Sequence, residues 1–509
     1  MTKKIFFGVL AFGLASAVAQ NSFQFKSVLE PIARVSAPMS EITAYMPEKK
    51  ILFSVGDRDA MAMIDMSDFS KINDRMDYSL TGVATSVSVS GNLVAASILA
   101  NPETDDGFVQ LMRYDDEIRT IGVYPVCSHP DMLTFTPNGK QILVACEGSP
   151  SDDFTIDPFG GVAILSIDSL EAQDSASMNV KVDIVGFDKL DTADLIAKGV
   201  RSPGNQGILR GLEPEYITIS DDGKYAWVSL QENNALARID IAAKKVDEVF
   251  GLGYVDHSQK GFGIDSRNDG FIDIKNVPVR GLRQPDGVAF FERDGVPYII
   301  TANEGASIDY KGWTDETTPL KLFEQGRLEE TAFSGKTLTS IQNLGVSKLE
   351  TCPENMRGKC PFVYGFGSRS ISIFNGATGE LVWDSGDKLE RLMAKVTPEY
   401  FNWNSKKKKN KVDARSESMG CEPENVAVGK VGNRIFAFVG LERGNGIAVF
   451  DVTSTGRAAP KVVDYFMDTR DRGPEGLLFI PAEKSPVKDT PLLVVGYEYS
   501  KSISIYKVK

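Results

Sequence analysis

Apolar and polar residues alternate in short runs along most of the chain, and the runs come in pairs around a turn. Alternation places successive side chains on opposite faces of a strand, so the pairs predict β-hairpins. One pattern recurs: a Pro-acid dipeptide opens a strand, a turn follows, and a second strand closes on an acid. Copies read HPDMLTFTPNGKQILVACEG from His129, EPEYITISDDGKYAWVSLQENN from Glu213 and QPDGVAFFERDGVPYIITANEG from Gln284. Two more start at Glu422 (EPENVAVGKVGNRIFAFVGLERG) and Gly473 (GPEGLLFIPAEKSPVKDTPLLVVGYEY), and weaker ones near Ser40 and Ala84, which makes about seven units. Their turns carry Asn138-Gly139, Asp222-Gly223, Asp294-Gly295 or Gly432-Asn433, residues that accept the backbone conformations a tight hairpin needs.

A third strand is predicted over 235–241, 446–452 and 502–508. Repeated units of three or four antiparallel strands at uneven spacing predict an all-β chain folded as a β-propeller of about seven blades, since insertions can loop out between strands without disturbing the core. A solenoid would demand more regular spacing. The long insertions fall near 168–210, 252–282, 306–361 and 384–420 and are expected to cover one face, with short helices at 192–198 and 388–395. Residues 25–35 are expected to return to the last blade and close the ring, removing exposed strand edges.

The acids carry the most informative chemistry. Hairpin arms run in opposite directions, so the residue opening the first strand lies beside the residue closing the second. That rule pairs Asp131 with Glu147, Glu215 with Glu232, Asp286 with Glu304, Glu424 with Glu442, and Glu475 with Glu498, all at one end of their hairpins. Gathered around a central channel, such carboxylates repel one another and must be neutralised. Two solutions stand open. Arginines near the motifs (Arg210, Arg283, Arg369, Arg415, Arg443) can pair with them, or a hard divalent ion such as Ca²⁺ can be held by them. A separate loop has Asp265, Asp269 and Asp273 at positions one, five and nine of a calcium-loop template. It lacks the third-position acid and the closing Glu, so a loop of Asx-turns is the competing reading.

The start of the chain has the order of a secretory leader: Lys3 and Lys4, an apolar run from Ile5 to Leu14, then Ala17-Val18-Ala19, with cleavage expected after Ala19. Residues 20–509 then form one propeller domain. The alternative, a retained anchor, suffers from the shortness of that run. No later segment is apolar enough to span a bilayer, and the chain stops inside its last predicted strand, so no C-terminal anchor is expected. The net charge of −13 disfavours nucleic acid and favours cations and basic surfaces. Lys406 to Lys409 with Lys411 form a local basic run, read as a solvated loop.

Five cysteines in an oxidising compartment suggest two pairs, Cys127–Cys146 on two arms of one hairpin and Cys352–Cys360 around a short loop, with Cys421 left as a buried thiol. No Asn-x-Ser/Thr acceptor occurs. Only His129 and His257 are present, so histidine-rich metal sites and histidine triads have little material. No glycine-rich phosphate loop precedes a helix, and no organic cofactor is expected.

Taken together, the motifs resemble the choice-of-anchor I family, which includes mesenchyme-specific cell-surface glycoproteins linked to biomineralisation and some alkaline-phosphatase-like proteins. The residues that carry the resemblance are the Glu213, Gln284, Glu422 and Gly473 copies, with FGSRSISIF and WDSGD between them. It implies an extracellular β-propeller whose anchoring mode does not carry over, because Cys421 precedes Glu422 here and no tail follows the last strand. The expected role is a secreted binding protein with an acidic, calcium-binding face toward matrix, mineral or a protein partner. The alternative is a metal-dependent phosphoester hydrolase at the same face, with Arg283, Arg369, Arg415 and Arg443 as anion clamps and Ser416 as a nucleophile or merely a turn cap.

Overall fold

The structure is a computed structural model and describes residues 27–169, 178–204, 207–311, 313–350, 359–407, 411–454 and 460–509. Its hairpins extend into seven four-stranded antiparallel blades. Blade 1 holds Ile42–Met46, Ile51–Val55, Arg58–Asp65 and the first half of Arg75–Ser90; the second half of that strand opens blade 2, followed by Leu93–Ile98, Asp106–Tyr114 and Ile118–Ser128. Blades 3 to 6 open with Pro130–Phe135, Pro214–Ile219, Val288–Arg293 and Pro423–Val431. Blade 7 has Pro474–Ile480, Leu492–Tyr497 and Ser502–Val508, and its outer strand is Leu29–Ser36 from the other end of the chain. Ring closure by the early segment, expected from the sequence, is therefore what the strand pairing shows.

Middle strands such as Leu93–Ile98 and Leu492–Tyr497 are buried at every position, whereas the outer strand Lys245–Gly251 is mostly open to solvent. The difference follows from stacking, because a middle strand has a neighbouring blade on both faces. Each of the seven interfaces has its own apolar cluster. Leu143, Val162, Val228 and Ala237 join blades 3 and 4, and Val35, Leu52, Ile64, Val494 and Ile505 join blade 7 to blade 1. Inner strands also touch through backbone. Gly476 N–H donates to the Glu41 carbonyl at 3.2 Å, where a Cβ would sit 2.4 Å from that oxygen, and Gly287 N–H donates to the Glu424 carbonyl at 3.0 Å. Glycine is required there by proximity.

A disulfide joins Cys127 and Cys146, but not as two arms of one hairpin. Cys127 ends the outer strand of blade 2, and Cys146 ends the second strand of blade 3 opposite Pro130. The bond staples two blades together. Cys352 lies outside the described residues, as do the leader and residues 408–410 of the basic run. Cys421 is buried and free, and burial raises its thiol pKa.

Second-to-third-strand turns and blade-to-blade connections leave from the end of each hairpin where the paired acids lie. Most of the inserted chain therefore stands on that end. Helices form at Thr192–Ala197, capped by Asp191, and at Lys388–Val396. Insertions 252–282 and 306–361 are more ordered than the sequence suggested. Tyr254–Asp256, Val279–Leu282, Val363–Gly365, Val346–Ser347 and Glu316–Thr317 form a five-stranded sheet, and helices Pro319–Glu324 and Lys336–Ile341 pack with it around Ile264, Leu322, Phe333 and Val346. Among the described residues no helix is long and apolar enough to cross a membrane.

Candidate functional site

The Pro-acid motif builds a bulge. In blades 3, 4, 6 and 7 the proline pairs with the last residue of the second strand, and the register then slips: Pro214↔Leu230 is followed by Ile217↔Val228, Pro423↔Leu441 by Val426↔Val439, and Pro474↔Tyr497 by Leu477↔Val495. Pro130 and Leu133 repeat the step against Cys146 and Val144. Two residues, the acid and its successor, thus occupy the space of one, and such a bulge re-aims their side chains. The residue before the proline takes a left-handed backbone at His129 (φ 49°), Gln284 (42°), Glu422 (46°) and Gly473 (66°). For a residue other than glycine this costs on the order of 1–3 kcal/mol. The carbonyl it presents is used: the N–H groups of Glu147, Glu442 and Glu498 donate to His129, Glu422 and Gly473 at 2.9 Å each. That bond sets each closing acid beside its opening partner.

The result is a cavity of about 250 Å³ lined by Glu41, Asp57, Asp131, Glu147, Glu215, Asp286 and Glu475, with Tyr216, Gln231 and Asn425 between them. Carboxylates from blades 1, 3, 4, 5 and 7 meet there. Blade 2 leaves a gap, because its weak copy has Thr85 and Ser86 at the acid position, and both line the cavity. Burial, then repulsion from Glu147 and Asp286, holds Asp131 well above the usual carboxylate range. Burial and the neighbouring acids do the same to Glu215, Glu304, Glu424 and Glu475. Burial also pushes Glu232 up to about 8, Glu41 to about 7 and Asp286 to about 6; the Asp286 rise is limited by a hydrogen bond with Glu424. Tyr216 rises to about 12 through burial.

Neutralisation is uneven around the ring. Beside blade 6, Glu422 pairs with Arg443 at 2.8 Å and with Arg415 at 2.5 Å, while Glu442 pairs with Arg443 at 3.1 Å and accepts from the Tyr499 hydroxyl. Lys501 lies 3.1 Å from Glu41, and His129 Nε2 lies 3.3 Å from Glu147. Among the described residues, however, no Lys, Arg or His nitrogen comes within 4.0 Å of the carboxylates of Asp131, Glu215, Asp286, Glu304, Glu424 or Glu475. Glu304 receives a single side-chain donor, Gln231 Nε2 at 2.9 Å. Buried oxygens of Glu215, Glu232 and Glu424 have no donor facing them.

Three groups of acids bring carboxylate oxygens within 4.8 Å of one another: Asp286, Glu304 and Glu424; Glu304, Glu422 and Glu442; and Glu41, Asp57 and Glu498. Of the ten acids paired by the hairpin rule, Asp131, Glu147, Glu215, Asp286 and Glu475 thus line the cavity, and Glu304, Glu424, Glu442 and Glu498 stand in these groups. Glu41, Asp57 and Glu422 were not among those pairs. Glu41 and Asp57 open and close the weak copy near Ser40 at the same spacing, so the signal for them was present. Glu422 is the residue before the proline, which the pairing rule does not reach.

The remaining candidates sit elsewhere. Asp265 accepts from the N–H groups of Arg267 and Asp273, Asp269 accepts from Phe271 N–H, and Asp273 pairs with Lys275 at 2.6 Å, which is the hydrogen bonding of Asx-turns. Arg283 donates to the Leu252 and Tyr254 carbonyls, and Arg369 to Glu390 and the Asp265, Ser416 and Ser418 carbonyls. Neither these two nor Arg415 and Arg443 line the cavity. Arg210 packs over the Phe159 ring. Ser416 is buried and accepts from Asn402 Nδ2 at 2.8 Å. His129 Nδ1 lies 3.0 Å from Ser149 Oγ, and His257 is buried with its pKa pushed down to about 4 by that burial.

The model of the Choice-of-anchor I domain matches residues 41–455. The mesenchyme-specific cell surface glycoprotein of Strongylocentrotus purpuratus is 28% identical over 306 residues, covering 52% of this chain and 38% of that protein. Gigasin-3a of Magallana gigas is 29% identical over 196 residues, 34% of this chain and 69% of that one. The chain thus spans well under half of the first relative's length. Among solved structures, Kuenenia stuttgartiensis hydrazine synthase gives a TM-score of 0.48 at 11% identity, covering 93% of this chain and 96% of that one. The β-propeller domain of Myceliophteria thermophila Cps50 (Swd1) gives 0.45 at 9% identity, covering 94% and 100%.

Proposed function

The chain belongs to the choice-of-anchor I family, and we propose that it acts as a secreted binding protein whose carboxylate-lined channel takes cations. Ca²⁺ or another divalent ion is the first ligand, and mineral, matrix or a basic protein partner is engaged through the same acidic face. One observation carries this reading: Asp131, Glu215, Asp286 and Glu475 in the channel wall, and Glu304 and Glu424 grouped with Asp286, have no cationic side chain in reach among the described residues, an arrangement that asks for positive charge from outside the chain. Export is supported by the leader pattern from Lys3 to Ala19 and by a relative that bears the name of a cell surface glycoprotein.

The phosphoester hydrolase alternative has no observation in its favour. Its phosphate would need arginine clamps beside the metal-holding acids, and the four arginines that would clamp it are committed to other partners and do not line the cavity. A phosphomonoester panel run with and without Ca²⁺ should therefore show no turnover. The deciding test of cation binding is a melt of the chelator-treated protein with added Ca²⁺, Mg²⁺ or Mn²⁺. An ion at a hundredfold excess over its Kd stabilises by about 2.7 kcal/mol, so a clear rise in melting temperature is expected. Melting curves that ignore all three ions would end this reading.

A further inference from the structure

Resting on that reading, we infer that Asp286, Glu304 and Glu424, at the junction of blades 5 and 6, form a binding site for one hard divalent cation, with Ca²⁺ as its best fit. Asp286 lies just before the first strand of blade 5, Glu304 just after its second strand, and Glu424 in the bulge that opens blade 6, with oxygens within 4.8 Å of one another. They are held by rigid backbone: Gly287 N–H bonds the Glu424 carbonyl, and a Cβ on Gly287 would sit 2.6 Å from Asn425 Oδ1. The geometry is thus fixed before any ion arrives.

A separate observation points to a ligand. Glu424 is only 8% exposed, yet its Oε2 is buried with no N–H or O–H donor facing it. Leaving such an oxygen unmatched costs about 1–3 kcal/mol, more for a charged group. Glu304 has one neutral donor, Gln231. Beyond that amide and the hydrogen bond between Asp286 and Glu424, the three acids have a deficit of positive partners that a cation of charge two offsets.

The two neighbouring groups of acids differ in the respect that matters. Glu422 and Glu442 already hold Arg415 and Arg443, so the group they form with Glu304 has its positive charge built in. The group of Glu41, Asp57 and Glu498 sits at the rim, has Lys501 at 3.1 Å, and includes the exposed Asp57. Among the described residues, only the group of Asp286, Glu304 and Glu424 combines enclosure with no cationic side chain. Its donors are all oxygen, which suits Ca²⁺, Mg²⁺ or Mn²⁺ and not the ions that prefer nitrogen or sulfur. Three carboxylates can supply up to about six oxygens with loose geometry, as Ca²⁺ accepts, whereas Mg²⁺ demands near-octahedral order and keeps its waters.

The test is calorimetric titration of the full chain, freed of metal by chelator, with Ca²⁺ alone. Asp286→Asn and Glu424→Gln preserve shape and remove one charge each, and each should weaken the tightest site at least tenfold. Glu498→Gln and Glu442→Gln should leave that site within about twofold. Because Glu424→Gln removes a buried, unmatched carboxylate, its metal-free melting temperature should equal or exceed that of the parent, which separates lost binding from lost folding. Ca²⁺ binding that survives in D286N and E424Q but falls in E498Q would overturn this site while leaving the cation-binding role intact. No uptake of Ca²⁺ by the parent protein would remove both.

Discussion

Two stretches of the same acidic ring, one on each side of Glu304, answer like-charge crowding in different ways. Toward blade 6, Arg415 and Arg443 supply two positive charges for Glu422 and Glu442, and the Tyr499 hydroxyl adds a donor. Toward blade 5, Asp286, Glu304 and Glu424 have one amide and the hydrogen bond between Asp286 and Glu424 among them. Both stretches arise from the same repeat, and the contrast in charge lies in what the neighbouring loops deliver. Arg415 comes from the insertion before blade 6 and Arg443 from the turn after its second strand; among the described residues no equivalent reaches Asp286. Where a loop brings arginine, the acids are scaffolding. Where none does, the proposed cation would supply the balance.

The largest effect should come from breaking the balanced side. Arg443→Met strands Glu422 and Glu442 in a buried place and is expected to cost about 3 kcal/mol, read as a lower unfolding midpoint in denaturant. Combining it with Glu442→Gln should recover part of the loss, and a pair of changes that merely add would show that the ion pair does not matter. Next comes pH. A carboxyl whose folded pKa is raised binds its proton more tightly when folded, so its contribution is complete below the ordinary value near 4.5 and is lost as pH climbs through the folded value. With Asp286 at about 6, Glu41 at about 7, and Glu232 and Glu442 at about 8, the metal-free protein should lose stability steadily from about pH 4.5 to about pH 8. Saturating Ca²⁺ should flatten that slope, and a metal-free melting profile that rises over the window would contradict it.

A smaller gain is expected on the unbalanced side. Glu424→Gln should stabilise the metal-free protein at pH 8, where burial and the neighbouring acids oppose a charge on Glu424, and do less as pH falls and that charge is lost. The smallest change belongs to Glu442→Gln in Ca²⁺ affinity, since that acid is already satisfied by arginine and tyrosine.

The hairpins were legible because their signals are local: a turn dipeptide, alternation, and a Pro-acid start within about twenty residues. The gathering of acids followed from strand direction alone, and the placement of Asp131, Glu215, Asp286 and Glu475 on one cavity is what that rule requires. The sequence left arginine and metal as rival answers, and the structure shows why one choice could not be made for the whole ring. Arg443 lies beside its acid in the chain, but Arg369 and Arg283, equally near a motif, turn to Glu390 and to Asp384 instead. Such choices depend on loop paths. The five-stranded layer in the insertions escaped notice for a different reason: strands such as Glu316–Thr317 and Val346–Ser347 are too short to display a period. Cys127 was misassigned to a hairpin because the outer strand of blade 2 runs almost directly into blade 3, with no turn residues to mark the boundary.

The pairing of Leu29–Ser36 with Ser502–Val508 has a consequence for how the molecule is made. During synthesis the earliest of these strands has no partner until nearly the whole polypeptide has been produced. It must wait as an unpaired edge while six blades assemble, and the final seam is sewn only when the last strand arrives. A fusion or nick that delays either end would hold the disc open, with the apolar seam of Val35, Val494 and Ile505 bared to its surroundings.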